Sequence, residues 1–253
     1  NVLPGLVNAL QARQAELVED LEMQHIGNLA WSLACLLTVP PLHASLHVGL
    51  ANRLSQRIMT IGKEEFDTPA LVQLHQFFLS CQLDPSIRAA LPQSIHDLRA
   101  YIERDARDAF STSPASQHGL VAKEVAAVLR MEFPWMRIEE MAPDMATGYV
   151  VAIRFGSAGR THLKKPDWAP AGASGWILEV EMDTRFMLAT EYENTGLLLG
   201  NRLLKYRHLA RVGYTVMSVA QWDWQNLGTL EAKQQYLQAK FQAVGRSQHF
   251  FDV

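Results

Sequence analysis

Two glutamates one residue apart, Glu179 and Glu181, stand in the run Trp176-Ile-Leu-Glu-Val-Glu181. The apolar and β-branched content predicts a strand, and strand side chains alternate with a period of two, so both carboxylates project from one face. Carboxylate oxygens are hard ligands; two converging on Mg²⁺ would let the ion generate hydroxide and neutralise a phosphate under attack. Buried without a cation, the same two groups raise each other's pKa. Arg202 and Lys205, three residues apart on a predicted helix, share a helix face and can supply the positive charge. The pattern therefore fits a metal-dependent site or an ion-paired core.

Other cations are grouped where phosphate could bind. The segment Arg154-Phe-Gly-Ser-Ala-Gly-Arg160-Thr-His162-Leu-Lys164-Lys165 has no acidic residue, and its glycines favour a flexible or hairpin-like loop. Arg154, Arg160, Lys164 and Lys165 could track a phosphate backbone, or form an ordinary solvated loop. The helix carries Arg202, Lys205, Arg207, His208 and Arg211. Arg207 and Arg211 share one side and Arg202 with Lys205 another, so part of the set must be exposed.

Trp222 and Trp224 flank Asp223, and Trp168 follows the cationic loop. Unpaired bases stack on exposed aromatic rings, but a tryptophan after a strand more commonly plugs the base of the sheet; Trp222 is expected in the core, and Trp168 less strongly so. Trp31 and Trp135 lie in apolar patterns and are also expected in the core. His43 and His47 are four apart, yet no third ligand is near in sequence and HExxH is absent, so no metal site and no cofactor is expected.

These residues must be positioned by a chain of 253 residues, 48% hydrophobic and 19% charged, long enough for one large domain or two smaller ones. The net charge of −3 excludes a globally basic nucleic-acid binder and confines any phosphate site to a local patch. The apolar run Leu29 to Pro41 is interrupted by Ser32 and Thr38 and is shorter than the roughly 20 residues that span a bilayer, so no membrane segment is expected. Cys35 and Cys81 lie in apolar helical patterns and are expected as buried thiols in a reducing compartment. The chain begins at Asn1, consistent with a processed or partial sequence whose targeting segment lay upstream.

Residues 1–110 read as helices only, with apolar residues at three- and four-residue spacing and prolines at segment boundaries. Leu21, Ile26, Leu29 and Leu33 align with Phe66, Leu71, Leu74 and Phe78 at an offset of 45 residues, which suits a two-helix repeat. Residues 111–116 close a polar, proline-bearing stretch that reads as a linker. From 117 to 253, helices at 117–131, 195–212 and 230–244 interleave with strands at 136–140, 148–155, 176–181 and 214–219, predicting an α/β domain.

The second half resembles a RAP domain. The segment Glu179-Val-Glu-Met-Asp-Thr-Arg-Phe186 is similar to the family's E-V-D-G-P-S-H-F strand end. Gly200, Lys205, Arg207 and Leu209 then fit its helix, and Gly213-Tyr-Thr-Val216 its next strand. Gln221-Trp-Asp-Trp224 fits the tryptophan-bearing turn, and Tyr236-Leu237 the closing helix. The helical half, with Asn28-Leu-Ala-Trp-Ser-Leu-Ala-Cys-Leu36, is similar to the repeats of octotricopeptide-repeat and FAST-kinase-like proteins. The resemblance implies an α+β chain: an all-α helical repeat region, then a restriction-endonuclease-like α/β domain.

It also implies single-stranded RNA as partner and a place in organelle RNA metabolism. Nucleases of this fold pair a carboxylate on one strand with another on the next and follow it with a lysine. Here Ala152 stands where the first is expected and Glu181 where the lysine is, which makes Ala152, Glu179 and Glu181 a degenerate nuclease site. Met182 and Asp183 replace the turn-forming glycine and proline, while Arg185 in place of histidine keeps a phosphate-facing donor.

The expected function is that of a non-catalytic RNA-binding protein, either mitochondrial or, alternatively, plastid. It would be a ribosome component or ribosomal-RNA-associated factor binding single-stranded RNA or an RNA end, beside neighbouring ribonucleoprotein subunits. Arg154, Arg160, Lys164, Lys165, Arg185, Arg202, Lys205, Arg207 and Arg211 are the expected contacts. The alternatives are a metal-dependent endoribonuclease that processes organelle transcripts and a protein-interaction scaffold.

Overall fold

The computed structural model of the protein describes residues 22–36, 44–91, 118–134, 136–144, 146–157, 175–181 and 200–246, with a few isolated positions besides. The chain divides into two compact units, Asn1–Thr112 and Ser113–Val253.

In the first unit the described elements are helices: α1 (Met23–Leu36), α2 (Ala44–Ile61), α3 (Thr68–Leu83) and the short α4 (Pro85–Ala90). Gly62, at φ 86, ends α2 in a left-handed conformation that glycine adopts without a Cβ clash. Asp67 caps α3 by accepting from the Ala70 amide at 2.9 Å, and Pro69 sits in the first turn, where its missing donor costs nothing. The two aligned sets bury Ile26 and Leu33 on α1, and Leu71, Leu74 and Phe78 on α3; Leu29 is half-buried. Helices α1 and α3 pack side by side, and the Gln73 amide donates to Asn28 Oδ1 at 3.0 Å across one period of 45 residues. Cys81 is buried and Cys35 half-buried, both as thiols. Trp31 is only half-buried, short of the core position expected for it.

The second unit runs α5 (His118–Glu132), β1 (Met136–Pro143), β2 (Val150–Ser157), β3 (Gly175–Glu181), α6 (Gly200–Arg211), β4 (Tyr214–Ala220), α7 (Gln221–Gln225) and α8 (Leu230–Arg246). The sheet order is β1-β2-β3-β4, antiparallel except for the parallel pair of β3 with β4. Every residue of β3 is buried, as a central strand covered on both faces must be. On one face Ile153, Phe155, Trp176, Leu178, Val180, Met217 and Val219 pack with Val125, Leu129, Leu237 and Phe241 of α5 and α8. Phe241 lies edge-on to Phe155 at 5.6 Å between centroids, closing this apolar layer.

The opposite face follows from the alternation. Glu139 lies opposite Arg154, and Ile153 opposite Leu178, so Glu139, Ala152, Arg154, Glu179 and Glu181 share the second face. Helix α6 reaches this face through Lys205, whose ammonium meets Glu179 at 2.8 Å. The apolar layer fixes the sheet; the charged layer carries the site.

Candidate functional site at the fork of β2 and β3

The β2–β3 ladder runs from Phe155–Trp176 to Ile153–Leu178 and goes no further, while β3 stays paired with β4 as far as Glu181–Ala220. Strand β2 therefore leaves β3 at Ala152. At the same level β1 contains Met141, a non-glycine residue at φ 47, and beyond it the β1–β2 hairpin continues in register through Ala142–Val151 and Pro143–Val150. A left-handed residue inside an extended strand bends it, so the hairpin tip turns away as a unit and opens a fork.

The tip is tied down on the charged face. The Thr147 amide and hydroxyl both donate to Asp144 Oδ2, at 2.8 and 2.6 Å, and the Tyr214 hydroxyl donates to Asp144 Oδ1 at 2.8 Å. The Tyr149 hydroxyl lies 3.0 Å from Nδ1 of the buried His208 on α6.

Two side chains fill the fork. Glu179, 3% exposed, accepts the Ala152 amide on Oε1 at 3.2 Å and Lys205 Nζ on Oε2 at 2.8 Å. Lys205, 7% exposed, also donates to the Val150 carbonyl at 2.8 Å. Carboxylate and ammonium thus take up backbone groups that the interrupted ladder would otherwise leave unsatisfied, the condition for keeping polar backbone inside a core.

Glu181, 1% exposed, accepts the Tyr206 hydroxyl on Oε1, and its Oε2 lies 3.6 Å from Arg202 Nε. Arg202 also reaches Glu179 Oε2 at 3.8 Å, so the guanidinium stands between both carboxylates. Burial pushes the Glu181 carboxyl above its ordinary value, with Arg202 and the Tyr206 hydroxyl opposing the shift and the Glu179 carboxylate adding to it. Burial, followed by the Glu181 charge, pushes the Tyr206 hydroxyl well above the usual phenol value.

This donor set does not fit a divalent ion. Both oxygens of Glu179 are engaged by donors, Ala152 brings no carboxylate from β2, and two cations balance the two carboxylates. The arrangement is a charge-compensated core in which Lys205 and Arg202 face inward to Glu179 and Glu181, the ion-paired reading that their spacing allowed.

The remaining expected contacts separate. Arg154 lies across the strand from Glu139 and donates to it through Nε at 2.9 Å, with Asp144 Oδ1 4.0 Å from Nη1, so it braces the sheet. That hydrogen bond holds the Glu139 carboxyl below its usual range and raises the Arg154 pKa. Arg207 is half-buried and Arg211 exposed at the end of α6. Arg160, Lys164, Lys165 and Arg185 lie outside the described residues, as do His43, Trp135 and Trp168. His47 is buried, with Nε2 3.4 Å from the Leu33 carbonyl.

The tryptophan pair corrects the expectation. Trp222 is 61% exposed, and Trp224 is the one in the core, 0% exposed, donating Nε1–H to Glu124 at 3.1 Å. The reason is the change of element: helix α7 starts at Gln221, and residues two apart on a helix lie about 200° apart, on opposite sides.

Tyr206, Tyr149, Asp144 and Met141 were not singled out from the sequence. A signal existed for Tyr206: with Arg202, Lys205 and Leu209 it completes the i, i+3, i+4, i+7 pattern of one helix face. Nothing in the sequence marks Met141 as left-handed.

Residues 179–240, which include the fork's charged residues, match the family model of the RAP domain. Comparison with curated proteins gives no match.

Proposed function

We propose, from the premise that this chain carries a RAP domain, that it is an RNA-binding protein which uses an endonuclease-like scaffold without cleaving RNA. The domain points to RNA binding; the loss of cleavage is our reading of the fork. The observation that carries it is the Glu179–Lys205 pair between β2 and β3, where a metal would need a second carboxylate and finds Ala152. In-line cleavage needs an activated water and a cation at the phosphate, and here each charged group serves its neighbour.

The phosphate backbone falls to cations that the fork's ion pairs do not engage, for which the sequence offers Arg160, Lys164, Lys165 and Arg185, with Arg211 at the exposed end of α6. The net charge of −3 makes such a local set necessary. We further propose single-stranded RNA or an RNA end as ligand, and an organelle ribosome, mitochondrial or plastid, as setting. Neighbouring ribonucleoprotein subunits would supply the rest of the binding surface. The resemblance to organelle RNA-binding proteins supports this setting.

The test is incubation of end-labelled single-stranded RNA with the protein in Mg²⁺ or Mn²⁺. The RNA is expected to be bound and to stay intact. Metal-dependent cleavage that disappears in Glu179→Ala would establish the endonuclease reading instead.

A further inference from the structure

The site described so far does not use Trp222. Its ring is 61% exposed on α7, directly after β4. Through the pairing of Glu181 with Ala220, it stands at the carboxyl end of the parallel strands β3 and β4, the end at which open α/β sheets take their ligands. An indole held on a short helix keeps most of its surface in water here, while its neighbour Trp224 is fully buried. We propose that Trp222 is a stacking platform for an unpaired nucleobase, an inference that rests on the RNA-binding reading above.

The surroundings favour a base over other occupants. From Val212 to Ala232 there is no lysine or arginine, while Asp223 and Glu231 are acidic. The cations that flank this stretch are Arg211 and Lys233, and Lys233 is held by Glu124 at 3.1 Å over the Trp224 ring, so the contact Trp222 itself can offer a passing strand is to the face of a base. The exposed neighbours Asp223, Gln225, Asn226 and Thr229 are polar. A tryptophan that anchors a protein partner is typically ringed by apolar contacts that exclude water, and here Leu230 alone adds a large exposed apolar side chain on this stretch. A base offers the complement of this surface, a π-face for the indole and a polar edge for the polar side chains around it.

The experiment measures binding of short fluorescein-labelled oligoadenylate and oligouridylate to the full chain, to Trp222→Ala and to Trp222→Phe, at several salt concentrations. Because the ring is exposed, both variants should unfold at the wild-type temperature. Trp222→Ala is expected to weaken oligoadenylate binding about 5- to 140-fold with an unchanged salt slope, since no phosphate contact is lost. Trp222→Phe is expected to keep most of the affinity while losing the quenching of tryptophan emission that RNA produces in the wild type. Wild-type affinity and salt slope in Trp222→Ala would overturn the platform and leave RNA binding standing; that result would assign the exposed ring to a protein neighbour. Failure of the wild type to bind either oligonucleotide at low salt would overturn RNA binding itself, and the platform with it.

Discussion

At the scale of single residues, Lys205 and Glu181 sit in one charged layer and should behave in opposite ways. Lys205 is enclosed between Glu179 and the Val150 carbonyl; replacing it with Met strands a buried carboxylate and a backbone acceptor, at a cost of about 3–5 kcal/mol. Glu181 is held with its carboxyl pKa above the ordinary 4.5. Between that value and the raised one, the folded state keeps a proton that the unfolded chain has released, so this group makes stability fall as pH rises through the window. Glu181→Gln removes the dependence: the stability of the variant relative to the wild type should be highest at pH 7 and should fall as the pH approaches 4.5. Urea unfolding of both variants and the wild type across this range checks the pair, and a stability difference between Glu181→Gln and the wild type that falls as the pH rises would contradict the sign. The alternation of β3 put both carboxylates on one face, and the spacing on α6 put Arg202 and Lys205 on one helix face, which left their pairing as one of two readings. The exposure of Trp222 was not readable, because the sequence reads Gln221–Trp224 as a turn and does not show which side of the short helix α7 faces the core.

At the scale of elements, the period of 45 residues becomes physical where α1 meets α3. A Cβ added to Gly27 would come within 3.1 Å of both Cα and Cβ of Ala70, so the helices touch closely there. Gly27→Val therefore forces them apart. Overpacking of this kind costs about 1–3 kcal/mol, and separation of the helices would also break the Gln73–Asn28 hydrogen bond. The expected result is an earlier thermal transition assigned to the helical unit, with the RAP unit unchanged. The helices themselves were legible because three- and four-residue apolar spacing and the prolines agree, and the structure adds the Asp67 cap. The fork was not legible: the alternating residues around Ala152 predict an unbroken ladder, and the left-handed Met141 at the level of the divergence has no mark in the sequence.

At the scale of the whole molecule, a chain of net charge −3 can hold a polyanion only through a localised set of cations. Each phosphate contact to a single strand contributes about 0.7 to the slope of log affinity against log salt. Lys164→Ala with Lys165→Ala is therefore expected to lower that slope by roughly 1.4 and to weaken different RNA sequences alike. An unaltered slope, read by titrating one oligonucleotide at several ionic strengths, would remove the cationic segment from the binding surface. The order of helices and strands in this half could be read from hydrophobic periodicity, and its family from the spacing of Glu179, Lys205, Gly213 and Trp222. The inward direction of Lys205 and Arg202 could not, because a helix face known to be shared is not thereby known to face the sheet.

The filled fork also bears on descent. A carboxylate gained at position 152 alone would add a third negative charge beside the Glu179–Glu181 pair, which Lys205 and Arg202 balance, and a Lys205 lost alone would leave Glu179 only the longer contact to Arg202. Neither first step from this core toward a metal-holding one is neutral. A chain that carries the pair therefore needs at least two coordinated changes before the space between β2 and β3 could hold a metal.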